Sequence, residues 1–181
     1  MMKNLIPRVV QWAEDSNFVN PADIQSETLM MISKFGKISD VIVKSKSGSD
    51  EIGDCLISLI IICRMRNISL IDCVDYPLKV KDERLKDPFY VLVLILSGLG
   101  KVSENVGKDK EIKKEVCYLI IYLTILAALQ NLTLLECLEY SFKNIQNKKI
   151  IKFNGVILTE TDEDFHVAMK VLQQRKNNPN I

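Results

Sequence analysis

Apolar residues gather in two long runs, Cys55–Cys63 and Val116–Leu129, each set between stretches whose apolar positions recur three and four apart. That spacing predicts helices, and the runs themselves read as buried core helices too short to span a bilayer. Turn and cap residues divide the rest. Asn20-Pro21 and Asp87-Pro88 each place a capping side chain before a proline at the first helical position. Lys44–Ser49 is a polar loop, with Asp50 able to open the helix that follows. Asn67-Ile68-Ser69 ends that helix and starts another. Ser69 with Asp72, and Thr133 with Glu136, are spaced as capping pairs, the second matching a capping box. Val9, Val10 and Trp12 belong to an N-terminal helix that packs on the rest, with Trp12 as an anchor.

The pattern occurs twice. A shift of 64 lays residues 33–76 on 97–140 without a gap, and 14 of the 44 aligned pairs are identical. Among them are Ser33/Ser97, Gly36/Gly100, Lys37/Lys101, Glu51/Glu115 and Cys73/Cys137. Most mismatches exchange one aliphatic side chain for another. Each repeat, over about 20–80 and 84–146, therefore reads as helix, loop, long helix, tight turn, helix. Two such units predict an all-α fold with a four-helix-bundle-like core, the repeats packed as a pseudo-twofold pair. After Asn147 the pattern changes: KIIKFNGVIL carries β-formers on both sides of Asn154-Gly155, which predicts a small hairpin near 149–158. A short helix capped by Thr161 completes a 147–176 segment, in a chain read as one domain over 1–181.

Composition narrows the function. The 24 Lys+Arg against 23 Asp+Glu speak against a DNA binder driven by bulk charge, though not against a local basic pocket. Five cysteines, 55, 63, 73, 117 and 137, form no CxxC and lie far in sequence from the single His166. They read as buried, reduced thiols of a cytoplasmic protein rather than zinc ligands. The N-terminus shows no signal-peptide pattern and no membrane partner is expected. His166 reads as a surface residue. An apolar surface of this extent suggests a homo-oligomer.

Candidate chemistry centres on Ser33, Lys34, Lys37, Glu51 and Asp54, placed by spacings of three and four on single helix faces. Three segments in order carry a resemblance: WAEDSNFVNPADIQSETLMMISKFGKI, DEIGDCLISLIIICRMRNISLIDCV and YSFKNIQNKKIIKFNGVILTETD. Together they resemble the MazG-like all-α nucleoside triphosphate pyrophosphohydrolases, from Val10 to about Asp164. The resemblance implies cleavage of a triphosphate to a monophosphate and pyrophosphate, with Mg²⁺ held by Glu-Glu-x-x-Glu and Glu-x-x-Asp motifs. The family's first-motif glutamates fall here on Ser33, Lys34 and Lys37, and on Ser97, Gly98 and Lys101 in the second repeat. The second motif keeps Glu51 and Asp54, but in the second repeat only Glu115, Tyr118 replacing the Asp. The family arginine after Trp-Ala is Ser16. Lysine at a metal-ligand position repels Mg²⁺, and ammonium groups facing carboxylates are expected to form salt bridges instead.

Three readings follow. The first is a protein that binds or sequesters a nucleotide, in a phage context a signalling nucleotide, without hydrolysing it. No cofactor is expected there; Lys37 and Lys101 contact phosphates, Ser33 and Ser97 donate to them, and Glu51 and Glu115 orient the lysines. The second is an active pyrophosphohydrolase with a reduced Mg²⁺ site at Glu51 and Asp54, joined by Asp40 or Glu104. The third is an oligomerising scaffold.

Overall fold

The computed structural model of the chain describes residues 2–74 and 82–177. Helix α1 (Met2–Asp15) buries Leu5, Ile6, Val9 and Ala13, a single stripe at helical spacing. A 3₁₀ turn (Pro21–Asp23), capped by the Asn20 side chain accepting from the Ala22 N–H, leads into α2 (Ile24–Val43). Then come α3 (Ser49–Met65) and the short α4 (Leu70–Val74). A second 3₁₀ turn (Glu83–Lys86) precedes α5 (Pro88–Gly107), α6 (Lys113–Leu129) and α7 (Leu134–Ile145). Strands β1 (Ile150–Phe153) and β2 (Val156–Thr159) pair antiparallel, Phe153 opposite Val156, and α8 (Phe165–Asn177) closes the chain. The molecule is all-α with one small hairpin.

The repeat survives in the backbone residue for residue. α2 and α5, and likewise α3 and α6, begin and end 64 positions apart, and α4 and α7 begin 64 apart. The turns that end them match as well. Ser45 and Asp109, then Asn67 and Asn131, all adopt left-handed φ of 50–58°. In each first loop the next N–H closes on the preceding helix, Lys46 to the Val41 carbonyl and Lys110 to that of Asn105. Asp87 caps α5 through the Phe89 N–H, and Thr133 with Glu136 forms the complete capping box of α7.

The core is built by exchange. α2 pairs with α3 and α5 with α6, but the third helix of each repeat crosses the long helix of the other, α7 on α3 and α4 on α6. The α3–α7 crossing is so close that a Cβ on Gly53 would meet the Cys137 carbonyl at 2.1 Å and Ser141 Oγ at 2.6 Å. Ser141 in turn donates to the Asp50 carbonyl at 2.6 Å. Ile52, Leu56, Leu59 and Ile62 of α3, and Val116, Ile120, Leu123 and Leu126 of α6, fill the centre. Each such side chain contributes about 1.5–3 kcal/mol on burial.

Three expectations are corrected. The cysteines are not all free thiols: Cys73 and Cys117, with Cα atoms 4.8 Å apart, form a disulfide between α4 and α6. Sequence spacing could not reveal it, because the exchange of third helices brings these positions together. Cys55, Cys63 and Cys137 are free and buried, and burial pushes the Cys55 and Cys63 thiols up to about 12. The last helix starts at Phe165 rather than at Thr161, because Asp162 accepts from the Thr159 N–H and closes a turn there. Among the described residues the single helix with the length and apolar content of a membrane span is α5; α6, which holds the Val116–Leu129 run, meets that test only together with α7 across a 94° bend. The α5 residues Val91, Ile95, Leu99 and Val102 are buried in the same core as α2 and α6. Residues 75–81 and the Asp72 side chain lie outside the described residues, so the Ser69–Asp72 cap is not placed.

Candidate functional site

The short connection from Lys108 to Ile112 folds α6 back along α5, so the end of α5 meets the start of α6. On α5, Leu94, Ser97, Gly98 and Lys101 follow at helical spacing. On α6, Lys114, Glu115, Tyr118 and Tyr122 do the same. These eight residues line one cleft of about 410 Å³. Ser97, Lys101, Glu115 and Tyr118, the four positions nominated in the second repeat, thus fall together. Gly98 lets the helices approach: a Cβ there would stand 2.8 Å from Leu119 Cδ2.

The cleft has polarity. Lys101 and Lys114 sit at its loop end, with Ser97 one turn inward. Tyr118 and Tyr122 occupy the other end, their rings 18° from parallel. Lys101 to Leu94 is seven residues of helix, about 10 Å of rise. Two ammonium groups against the single carboxylate of Glu115 leave the lining cationic.

The first repeat holds the same positions differently. Lys34 stands at the place of Gly98, and its Nζ donates to Ser58 Oγ at 2.9 Å and to the Asp54 carbonyl at 3.3 Å. Asp54 and Ser58 replace Tyr118 and Tyr122. The lysine therefore bridges α2 and α3 where the second repeat places Gly98 against Tyr118 and Tyr122 in the cleft lining. Ser33 and Lys37 are exposed on α2, while Glu51 and Asp54 are half-buried on α3. The salt bridges expected here do not form: among the described residues no ion pair joins Lys34 or Lys37 to Glu51 or Asp54. Lys34 is satisfied by neutral oxygens instead. Asp40 and Glu104 are each taken by the lysine one turn on, Lys44 at 2.7 Å and Lys108 at 2.5 Å.

This donor set does not fit a Mg²⁺ ion. Mg²⁺ needs several oxygen ligands in octahedral array. Here an ammonium group rests on the backbone of one of the two carboxylate residues. Among the described residues no group of three or more His, Cys, Asp or Glu comes together.

Sequence reasoning missed Leu94, Lys114 and Tyr122. The four-residue spacing of Tyr118 and Tyr122 was the available signal. It also missed a buried ion pair. Lys152 of β1 and Glu27 of α2 are 0% and 1% exposed, with Nζ 3.1 Å from Oε2. Lys152 also donates to Ser26 Oγ, its N–H to the Ser16 carbonyl, and its own carbonyl accepts from Asn17. Ser16, where the resemblance led one to look for an arginine, thus serves as a backbone anchor for the hairpin. Trp12 packs on Phe18 and Phe142, and His166 is exposed, both as expected.

No protein-family model and no solved structure matches the chain. A stretch of 69 residues, 37% of the chain, is 30% identical to an uncharacterized 18.2 kDa protein from the rep-hol intergenic region of Haemophilus phage HP1. The match covers 42% of that phage protein's length.

Proposed function

We propose that the chain is a nucleotide-binding protein of MazG-like ancestry, which holds its ligand in the α5–α6 cleft and does not hydrolyse it. The observation that carries this reading is the joining of Lys101, Lys114 and Ser97 with two tyrosine rings in one elongated cleft. Phosphates lie toward the lysines, whose charge-assisted contacts need no metal. The base lies toward the rings. Glu115 accepts from a sugar hydroxyl or orients Lys101. The ligand stoichiometry is one per chain, because Lys34 occupies the equivalent space in the first repeat.

The reading moves the binding function off Ser33, Lys37, Glu51 and Asp54, which stay outside the open cleft. A homo-oligomer remains part of it: Phe89, Val93 and Leu96 leave an apolar, uncharged stripe on α5 that a second copy would cover. Light scattering of the parent and of Val93→Glu tests that part.

The main test is incubation with each nucleoside triphosphate and Mg²⁺, read by pyrophosphate release, beside calorimetric titration. Binding at one site without turnover supports the proposal, and Lys101→Ala then weakens it about ten- to a hundred-fold. Robust Mg²⁺-dependent turnover abolished by Glu51→Ala or Asp54→Ala overturns it in favour of the enzyme. Neither binding nor turnover leaves the scaffold.

A further inference from the structure

A cavity of about 590 Å³ lies among α1, the end of α7, the link into β1 and the start of α8, and shares no lining residue with the α5–α6 cleft. Its volume falls within the roughly 300–1,000 Å³ usual for small-molecule sites. Trp12, Phe142, Ile150, Ile151, Phe165 and Met169 give it an apolar lining drawn from all four segments. Trp12 is half-buried, and its Nε1–H is covered and without an acceptor among the described residues, so the cavity meets the indole ring.

The charges are sorted along this cavity. Arg8, Gln11, Trp12 and Asp15 line it at helical spacing on α1, which sets Arg8 and Asp15 two turns, about 10 Å of rise, apart. Arg8 marks the α7 end: its Nη2 donates to Gln146 Oε1 at 3.2 Å, and its guanidinium stands 5.7 Å from the Phe142 ring centroid. Lys148 is held at the same end, its N–H donating to the Ile145 carbonyl at 2.9 Å. The partners of Arg8 are neutral, and among the described residues neither Arg8 nor Lys148 is in an ion pair. The third lining cation, Lys149, is taken by Glu160 at 2.5 Å. Asp15, the one lining carboxylate, accepts from Gln11 Nε2 at 3.1 Å. One end therefore carries two cations that no carboxylate neutralises, and the acid stands at the other.

We propose that this cavity is a second small-molecule site, which takes an apolar organic acid with its carboxylate between Arg8 and Lys148. The guanidinium offers a planar fork and the ammonium a point charge, a pair suited to one carboxylate. Both cations are exposed, so their attraction alone is weak in water, and the apolar lining must supply the rest of the affinity. Asp15 repels a second anionic group at the far end. The cavity thus selects for a single charge at one end of an apolar body.

Trp12 is the only tryptophan of the chain, so its fluorescence and the single indole N–H resonance report on this cavity. Octanoate and 4-phenylbutyrate should each change both signals saturably, in the millimolar range or tighter. Butyrate lacks the body, 4-phenylbutanol lacks the charge, and octanedioate brings a second charge toward Asp15. Each should bind at least about five-fold more weakly than its parent acid. Arg8→Gln and Lys148→Gln, at exposed positions, should each weaken octanoate about three- to ten-fold and leave 4-phenylbutanol unchanged. The absence of a saturable change with either acid overturns the proposal. Equal binding of acid and alcohol also overturns it, by making the cavity an apolar hollow without charge selection. Octanoate affinity unmoved in both variants does the same, by placing the acid elsewhere. Nucleotide binding in the α5–α6 cleft bears on none of these outcomes, because the two linings have no residue in common.

Discussion

Lys34 and Gly98 are the same position in two repeats, and they join the paired helices of each repeat in different ways. Lys34 reaches Ser58 Oγ at 2.9 Å across the α2–α3 interface; Gly98 lets Leu119 of α6 come close to α5 and lines the cleft beside it. The difference extends one layer inward. Beneath Lys34 the facing residue is Cys55, close enough for its charge to act on the thiol; beneath Gly98 it is the larger Leu119.

Gly98→Lys should therefore close the cleft and abolish nucleotide binding, measured by titration. Its stem collides with Leu119, so unfolding in urea should show a loss of about 1–3 kcal/mol. Adding Leu119→Cys restores the small residue that faces Lys34, while Tyr122 still stands in the place of Ser58. The double-mutant cycle should give a favourable coupling of about 1 kcal/mol. Additive losses would mean that Leu119 is not what excludes a side chain at position 98.

Gly53→Ala is a test of the exchanged packing. Its Cβ would meet backbone, the Cys137 carbonyl, rather than the end of a flexible side chain. Helix α7 must then move off α3. The expected loss is about 3 kcal/mol in urea unfolding, against a gain of about 1 kcal/mol in intrinsic helix propensity. A stability equal to the parent would show that α3 and α7 do not cross at Gly53.

Much of this architecture was legible in the chain. The 64-residue shift placed Asn67 and Asn131 at the same turn, and Asp87-Pro88 and Thr133–Glu136 marked helix starts through side-chain chemistry confined to a few residues. What was not legible depended on contacts between distant segments. Nothing local to Cys73 or Cys117 says that the third helices trade partners. The cavity was hidden for the same reason: Gly98 in a helix reads as a weak point until the facing Tyr122 and Leu119 are known. Ser97, Lys101, Glu115 and Tyr118 could be nominated because the repeat marked them. Their equivalents Ser33, Lys37, Glu51 and Asp54 were nominated by the same logic, and there Lys34 reaches across to Ser58 Oγ and the Asp54 carbonyl instead.

The Cys73–Cys117 bridge joins residues 44 apart and ties α4 to α6. Closing a loop of that length removes unfolded-state entropy worth about 4 kcal/mol on the chain-entropy model, with 2–4 kcal/mol usual in practice. Intact-mass measurement of non-reduced protein should show a species two hydrogens lighter than the reduced chain. Reductant, or Cys117→Ser, should lower the urea midpoint accordingly. An unchanged midpoint under conditions where the mass confirms reduction would show that the bridge adds nothing to stability.

Lys152 and Glu27 fasten the hairpin to α2 by a pair that water does not reach. Bringing two charges into such a place is costly, and their mutual attraction with the Ser26 hydrogen bond does little more than offset that cost. Removing one partner is a different matter, because the other is left charged and buried. Glu27→Ala and Lys152→Ala should each lose about 3–5 kcal/mol in urea unfolding. Replacing both, as Glu27→Leu with Lys152→Met, removes both charges and keeps most of the volume. That variant should recover to within about 1–2 kcal/mol of the parent. The cleft between α5 and α6 contains neither residue, so nucleotide affinity should be unchanged in the double variant. Single variants as stable as the parent would show that the two side chains are hydrated, and that the hairpin is held instead by the backbone contacts of Lys152 with Ser16 and Asn17.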